Sequence, residues 1–298
     1  MKNYFTLKNR RGLEVELANL GASIYSIKFH DEYMTLTPKN KKDFENIHYY
    51  YGKTIGPIAN RIENGVLTID KEKFYYSKNE GNNTLHSGDE GIENRVFASE
   101  IEEDRVIFTL DDNGVHYRII YEISDEYLYV KHEVTTDVDT PISLTNHAYF
   151  CLGSSSLDDL SLKMKSHYFI ESRKEDLIPV RVKKNYPCLD FNKEKLISLD
   201  INDEYLINHR SKGYDHCLLL DKGVLRLSND KYEMTLMTSY PAVHFYSDNY
   251  PDEVKMMTSK GNNHRGVAIE PEDNLLDRRI LHPGEKYIRF IKYYFVKK

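Results

Sequence analysis

The stretch HYRIIYEISDEYLYVKHEV, residues 116–134, decides the fold class. Tyr117, Ile119, Tyr121 and Ile123 fall on alternate positions, the two-residue period of a strand with one buried face. Ser124, Asp125 and Glu126 supply turn chemistry. Beyond them Leu128, Val130, His132 and Val134 alternate with Tyr127, Tyr129, Lys131 and Glu133. Two such runs around a polar turn predict a β-hairpin. The same reading predicts a pair of strands at VLTIDKEKFYYS (66–77), at VLRLSNDKYEMTLMT (224–238) and at the final KYIRFIKYYFVK (286–297). LEVELANLGASIYSIKF (13–29) reads as two strands broken at Gly21.

Helical periodicity is scarce. EKLISLDIN (194–202) and KDFENIHYYYG (42–52) are the two segments that suit a helical turn or two. Many short strands without a βαβ rhythm predict an all-β, antiparallel sandwich with few short helices. At 298 residues the chain is long for one domain, but no linker rich in Pro, Gly or Ser interrupts it. Residues 1–298 are therefore expected to form one domain.

The formal charge of −6 argues against a nucleic-acid partner. No apolar run approaches the ~18 residues needed to span a bilayer, and the N-terminus lacks the apolar core of a secretory signal. Cys151, Cys188 and Cys217 are odd in number and widely spaced. They form neither a zinc motif nor a disulfide framework, and read as reduced thiols of a cytoplasmic protein.

Several polar residues break the strand logic. Asn60 and Arg61 lie in IANRIENG (58–65), and His86 in GNNTLHSGDEG (81–91). His147 sits in the apolar LTNHAYF (144–150). Asp215 opens GYDHCLLL (213–220), and Glu270 ends the apolar run in RGVAIEPEDN (265–274). Taken singly, each has an ordinary explanation: a structural ion pair, a surface histidine, a turn aspartate, or a strand end that meets water.

Taken together and in order, these segments resemble the aldose 1-epimerase (galactose mutarotase) family. The likeness runs through NLGASIYSI (19–27), GPIANRIENGVLTIDKEKFYYSKNEGNNTLHSG (56–88), LTNHAYF, GYDH, TSYPAVHFYS (238–247), GVAIEPE (266–272) and ILHPGEKY (280–287). It implies a large antiparallel β-sandwich with an open sugar cleft, and a mutarotase that needs no cofactor and no metal. It also implies roles. Glu270 is expected as the general base, ionised, and His147 as the general acid, protonated. His86 is a second histidine on the sugar, and Arg61, Asp215 and Asn60 are hydroxyl partners. Tyr246 or Phe245 is expected to offer a ring to the sugar's apolar face. The expected partner is a free hexose such as galactose or glucose, with no nucleic acid or membrane, and the protein is expected as a monomer or homodimer.

The chain departs from the family pattern at Pro57, Ser87, Phe97 and Glu272, positions expected to surround the sugar; Glu272 stands where Gln is usual. Three alternatives remain at this point. One is an epimerase-like protein for a phosphorylated or unusual sugar, with Arg278 and Arg279 meeting a phosphate. Another is a sugar-binding module without turnover. The third is a metal-dependent hydrolase using His86, His147 and Asp215, for which no ligand spacing speaks.

Overall fold

The computed structural model describes residues 1–46, 49–250, 252–258 and 263–298. The 116–134 hairpin forms as expected: strand Val115–Ile123 pairs antiparallel with Tyr127–Thr136, Tyr117 opposite Val134 and Ile123 opposite Leu128. It is the seed of a nine-stranded sheet. From one edge the order is Ala98–Ile101, Arg105–Asp112, Val115–Ile123, Tyr127–Thr136, Tyr287–Lys297, Tyr232–Thr238, Val224–Ser228, Ser161–Met164 and Lys195–Leu196.

The C-terminal segment corrects the expectation of a strand pair. It is one strand, Tyr287–Lys297, inserted between Tyr127–Thr136 and Tyr232–Thr238. Nothing between Tyr287 and Lys297 supplies a turn, and pairing on both sides satisfies its backbone better than a tight bend would.

A second sheet of six strands runs Tyr149–Phe150, Val267–Glu272, Ala242–Tyr246, Asp215–Leu219, Tyr168–Ser172 and Pro179–Lys184. The two sheets pack face to face. Phe150 of the six-stranded sheet lies 5.3 Å, centroid to centroid, from Tyr293 of the nine-stranded one. Val130, Leu236 and Ile291 share one apolar cluster with Phe245, Ile269 and Leu218. Each large apolar side chain fully buried there contributes roughly 1.5–3 kcal/mol. A four-stranded sheet, Tyr4–Lys8 to Glu32–Tyr33, adds a flank.

Among the described residues helix is confined to Lys41–Phe44 and Glu204–Ile207 and to short 3₁₀ turns, such as Ile197–Asp200. Both expected helical segments carry a turn, although residues 47–48 of the first lie outside the described residues. Among the described residues no helix is long and apolar enough to cross a membrane.

The strands of the six-stranded sheet that matter most are buried on both faces. Val267 and Ile269 point into the sandwich core, whereas Ala268, Glu270 and Glu272 take the opposite face. The neighbouring strand repeats this with Val243 and Phe245 inward, and Ala242, His244 and Tyr246 outward. Loops cover that outer face and leave a cleft in it.

Candidate active site

The cleft encloses about 300 Å³, the scale of a small-molecule site. Its floor is the outer face of the six-stranded sheet. Strand register sets His244 opposite Glu270, and Asp215 opposite Tyr246. His147 enters from the loop before Tyr149, and His86, Asn60 and Arg61 come from a two-strand ladder beside the sheet. Every candidate except Phe245 therefore lines one cavity. Phe245 faces the core, because it is one residue out of phase with Tyr246.

His147 is held from both sides of its backbone. Its carbonyl accepts from Gly52 N–H (2.9 Å), and its own N–H donates to the Lys53 carbonyl (2.9 Å). Gly52 is required for that approach: its φ is +65°, and a Cβ there would lie 1.8 Å from the Ile24 carbonyl oxygen. The imidazole lies between the rings of Tyr50 and Tyr149, with centroids at 5.6 and 5.0 Å. Its Nε2 is 3.4 Å from Glu270 Oε1.

These two groups are almost wholly buried, and that changes their expected charges. Burial pushes the Glu270 carboxyl up to about 8, with Glu272 adding to the rise and His244 opposing it. Burial also drives His147 down to about 3. Burial thus opposes the expected ionised Glu270 and imidazolium of His147 and favours the protonated carboxyl beside a neutral ring. Separating two charges out of water costs more than their attraction returns. The count of protons on the pair is the same in both descriptions. His86 is likewise held neutral by burial, reinforced by His147 and Arg61.

Asn60 and His86 both adopt left-handed backbone, φ 67° and 54°, a sparsely populated region that clusters at ligand sites. They brace each other. Asn60 N–H donates to His86 Nδ1 (3.1 Å), and His86 N–H donates to the Asn60 carbonyl (3.1 Å). The Asn60 side chain turns inward: Oδ1 accepts from Arg61 N–H (2.8 Å), and Nδ2 lies 3.0 Å from His244 Nδ1.

Arg61 forms a forked pair with Glu80 (2.8 and 3.1 Å), and its Nη2 is 3.8 Å from Asp215 Oδ2. Asp215 accepts from His244 Nε2 at 2.6 Å. Burial would raise the Asp215 pKa, but Arg61 and His244 hold it well below the usual carboxylate range. His244 was not among the sequence candidates. Its signal was available, since it lies two residues from Tyr246 on a strand of period two.

The tyrosines Tyr49, Tyr50, Tyr51, Tyr149, Tyr246 and Tyr250 contribute to the lining. One wall is locked by Arg265, which donates to Asp248 (2.6 and 3.0 Å), Asp252 (2.8 and 3.1 Å) and the Tyr51 hydroxyl (3.0 Å). Tyr51 also donates to Asp252.

Other expectations fall outside the cleft. Arg278 is spent on the carbonyls of Ala59 (3.0 Å) and Arg61 (3.4 Å), and Arg279 is 85% exposed beside Asp277. Neither lines the cavity. Nor do Pro57, Ser87 or Phe97, and Phe97 belongs to the sandwich core. Ser87 hydrogen-bonds both backbone groups of Ile58 (2.8 and 3.0 Å). Glu272 stands directly behind His244, Oε1 3.4 Å from its Nδ1. One atom each of His86, His147 and Glu270 lies within 4.8 Å of the others. Two ligands of a tetrahedral ion with ~2.1 Å bonds sit about 3.4 Å apart, so that trio would have to contract to hold zinc.

A family model described as Aldose 1-epimerase matches residues 3–294. The chain is 29% identical to the aldose 1-epimerase of Escherichia coli (strain K12), across 98% of this chain and 94% of the relative. It is 25% identical to the galactose mutarotase of Sus scrofa, across 92% and 89%. An aldose epimerase homologue from C. elegans has the same fold, with a TM-score of 0.90 at 25% identity over 100% of this chain and 99% of that one. Match and relatives span the strands and loops that build the cleft, and the chain belongs to the aldose 1-epimerase family.

Proposed function

We propose that the cleft interconverts the α and β anomers of a free, uncharged hexose such as galactose or glucose. The observation that carries this reading is the Glu270–His147 pair, 3.4 Å apart at the floor of an open cavity ringed by hydroxyl-binding groups.

Anomer exchange opens a hemiacetal. The C1 hydroxyl loses a proton, the ring oxygen gains one, C1–C2 rotates, and the ring closes on the other face. Glu270 takes the first proton and His147 gives the second, and they exchange roles on closure. Each positioned acid or base contributes about 10²–10⁴-fold. Before a sugar binds, burial favours the transferable proton on Glu270 over His147. Its passage to His147 creates the working base and acid without a proton from solvent. Arg61 and His244 favour the resulting carboxylate, and sugar hydroxyls replace the water it lost. Arg61, His86 and Asp215 hold the ring hydroxyls, and Tyr246 lies under its apolar face.

The charge of the cleft supports a neutral substrate. Against Arg61, Arg265 and His244 stand Glu80, Asp215, Asp248, Asp252 and Glu272. Among the described residues of the cleft no cation is left over for a phosphate. We further infer that residues 1–298 act as one domain, since a single apolar cluster runs from Leu7 to Phe295. Three free buried cysteines support a cytoplasmic setting.

Polarimetry of freshly dissolved α-galactose, α-glucose and glucose 6-phosphate tests the reading. Equilibration of a free hexose is expected to accelerate far above the spontaneous rate, and the phosphorylated sugar is expected to lag. Spontaneous rates for every free hexose would overturn it.

A further inference from the structure

Of the three imidazoles that line the cleft among the described residues, His244 is the one given neither a proton to carry nor a hydroxyl to hold in the reaction above. It is bracketed on both sides. Nε2 donates to Asp215 Oδ1 at 2.6 Å, and Nδ1 faces Glu272 Oε1 at 3.4 Å. Glu272 is 1% exposed, and its Oε1 has no hydrogen-bond partner among the described residues. A buried carboxylate oxygen without a donor is costly unless a cation stands beside it. Beside the ring the Asn60 amide nitrogen, 3.0 Å from Nδ1, donates to the other Glu272 oxygen, Oε2, at 3.4 Å. The other charged groups around it are Glu270 on the paired strand, and Arg61, His86 and His147 across the cleft.

We propose that His244 is a positioning residue for the sugar: it aims the Asp215 carboxylate at a ring hydroxyl, and Glu272 serves as its buried counterion. Asp215 has two oxygens. His244 occupies Oδ1, so only Oδ2, 3.8 Å from Arg61 Nη2, is presented with Arg61 as one acceptor–donor edge. Without His244 that carboxylate is free to rotate onto Arg61 and the edge is lost. Burial works against a charged ring, yet contacts with Asp215 and Glu272 raise His244 to about 10, in keeping with a cation between two anions. The role rests on the sugar-cleft reading, but it concerns binding and not proton transfer.

The pairing has a specific consequence. A glutamine at 244 keeps an N–H for Asp215 but strands the Glu272 charge. A second glutamine at 272 removes that charge, so the double variant is a cleaner replacement than either single one.

The experiment is a cycle of His244→Leu, His244→Gln, Glu272→Gln and the His244→Gln/Glu272→Gln double variant. KM and kcat are read by polarimetry, dissociation of galactose and glucose by calorimetry, and folding by thermal melts. His244→Leu is expected to raise KM and the dissociation constant by roughly tenfold or more, with the loss in KM and not kcat. His244→Gln is expected to weaken binding as well, and the double variant to recover most of it. Unchanged sugar affinity in His244→Leu, or a double variant no better than His244→Gln, overturns the proposal. If His244→Leu does not fold, the two glutamine variants decide alone. Calorimetry separates the two readings: a wild type that binds sugar without turning it over removes the mutarotase assignment and leaves the positioning role to be judged on binding.

Discussion

The two faces of the six-stranded sheet are made by the same strands, one residue out of phase, yet they do different work. On the inner face Val267, Ile269, Val243, Phe245 and Leu218 interlock with the nine-stranded sheet. On the outer face Glu270, Glu272, His244 and Asp215 are almost as deeply buried. The inner face needs only shape and apolar area. The outer face holds ionisable groups that burial disfavours, and each is tolerated because a neighbour answers it: Glu270 by His147, Asp215 and Glu272 by His244. Burial is therefore the cause of stability on one side and of unusual proton affinity on the other.

The largest effect expected from breaking this contrast is at Glu270. Glu270→Gln keeps the shape and abolishes proton acceptance, and is expected to lower kcat by about 10²–10⁴-fold. Its melting temperature is expected to hold or rise, since a buried ionisable group is replaced by a neutral amide. A polarimetric rate near that of the wild type would show that Glu270 is not the base.

Its neighbour Ile269 should behave in the opposite way. Ile269→Ala empties part of the core between the sheets and is expected to cost about 2–5 kcal/mol of stability, measured by denaturant unfolding. Well below its melting temperature the variant is expected to turn over sugar at close to the normal rate, because the side chain points away from the cleft. Loss of activity without loss of stability at 269 would mean that the two faces are not independent.

The alternation that separates the faces was readable in the sequence, and with it the fold class and most of the site. Glu270 and Tyr246 stood out because each broke or continued a strand pattern. Phe245 was misplaced by a single step of the same pattern. His244 shares a face with Tyr246 and was legible by that rule, but its partners Asp215 and Glu272 lie on other strands, and only the register brings them within reach. The charge states were not legible at all. Burial of His147 depends on a loop nearly a hundred residues earlier, where Gly52 packs against Ile24, and the sequence around His147 carries no sign of it. The resemblance supplied the gathering of distant residues into one cleft, which no local pattern could.

Proton affinity gives the finest test of the contrast between the faces. A catalytic pair that shares one transferable proton works only while it keeps that proton and gains no second. Burial places its loss near 8, through Glu270, and the gain of another near 3, through His147. The sign follows from the chemistry: above about 8 the carboxylate is ready but no proton remains for the ring oxygen. kcat/KM is therefore expected to be level from about pH 5 to 7, then to fall about tenfold per unit above 8. Glu272→Gln removes a like charge beside Glu270, so Glu270 should lose its proton at lower pH and the alkaline fall should begin earlier. A rate that climbs through pH 8 instead would mean that Glu270 works as a base whose proton has already gone to solvent, with the acid's proton supplied from elsewhere than this pair.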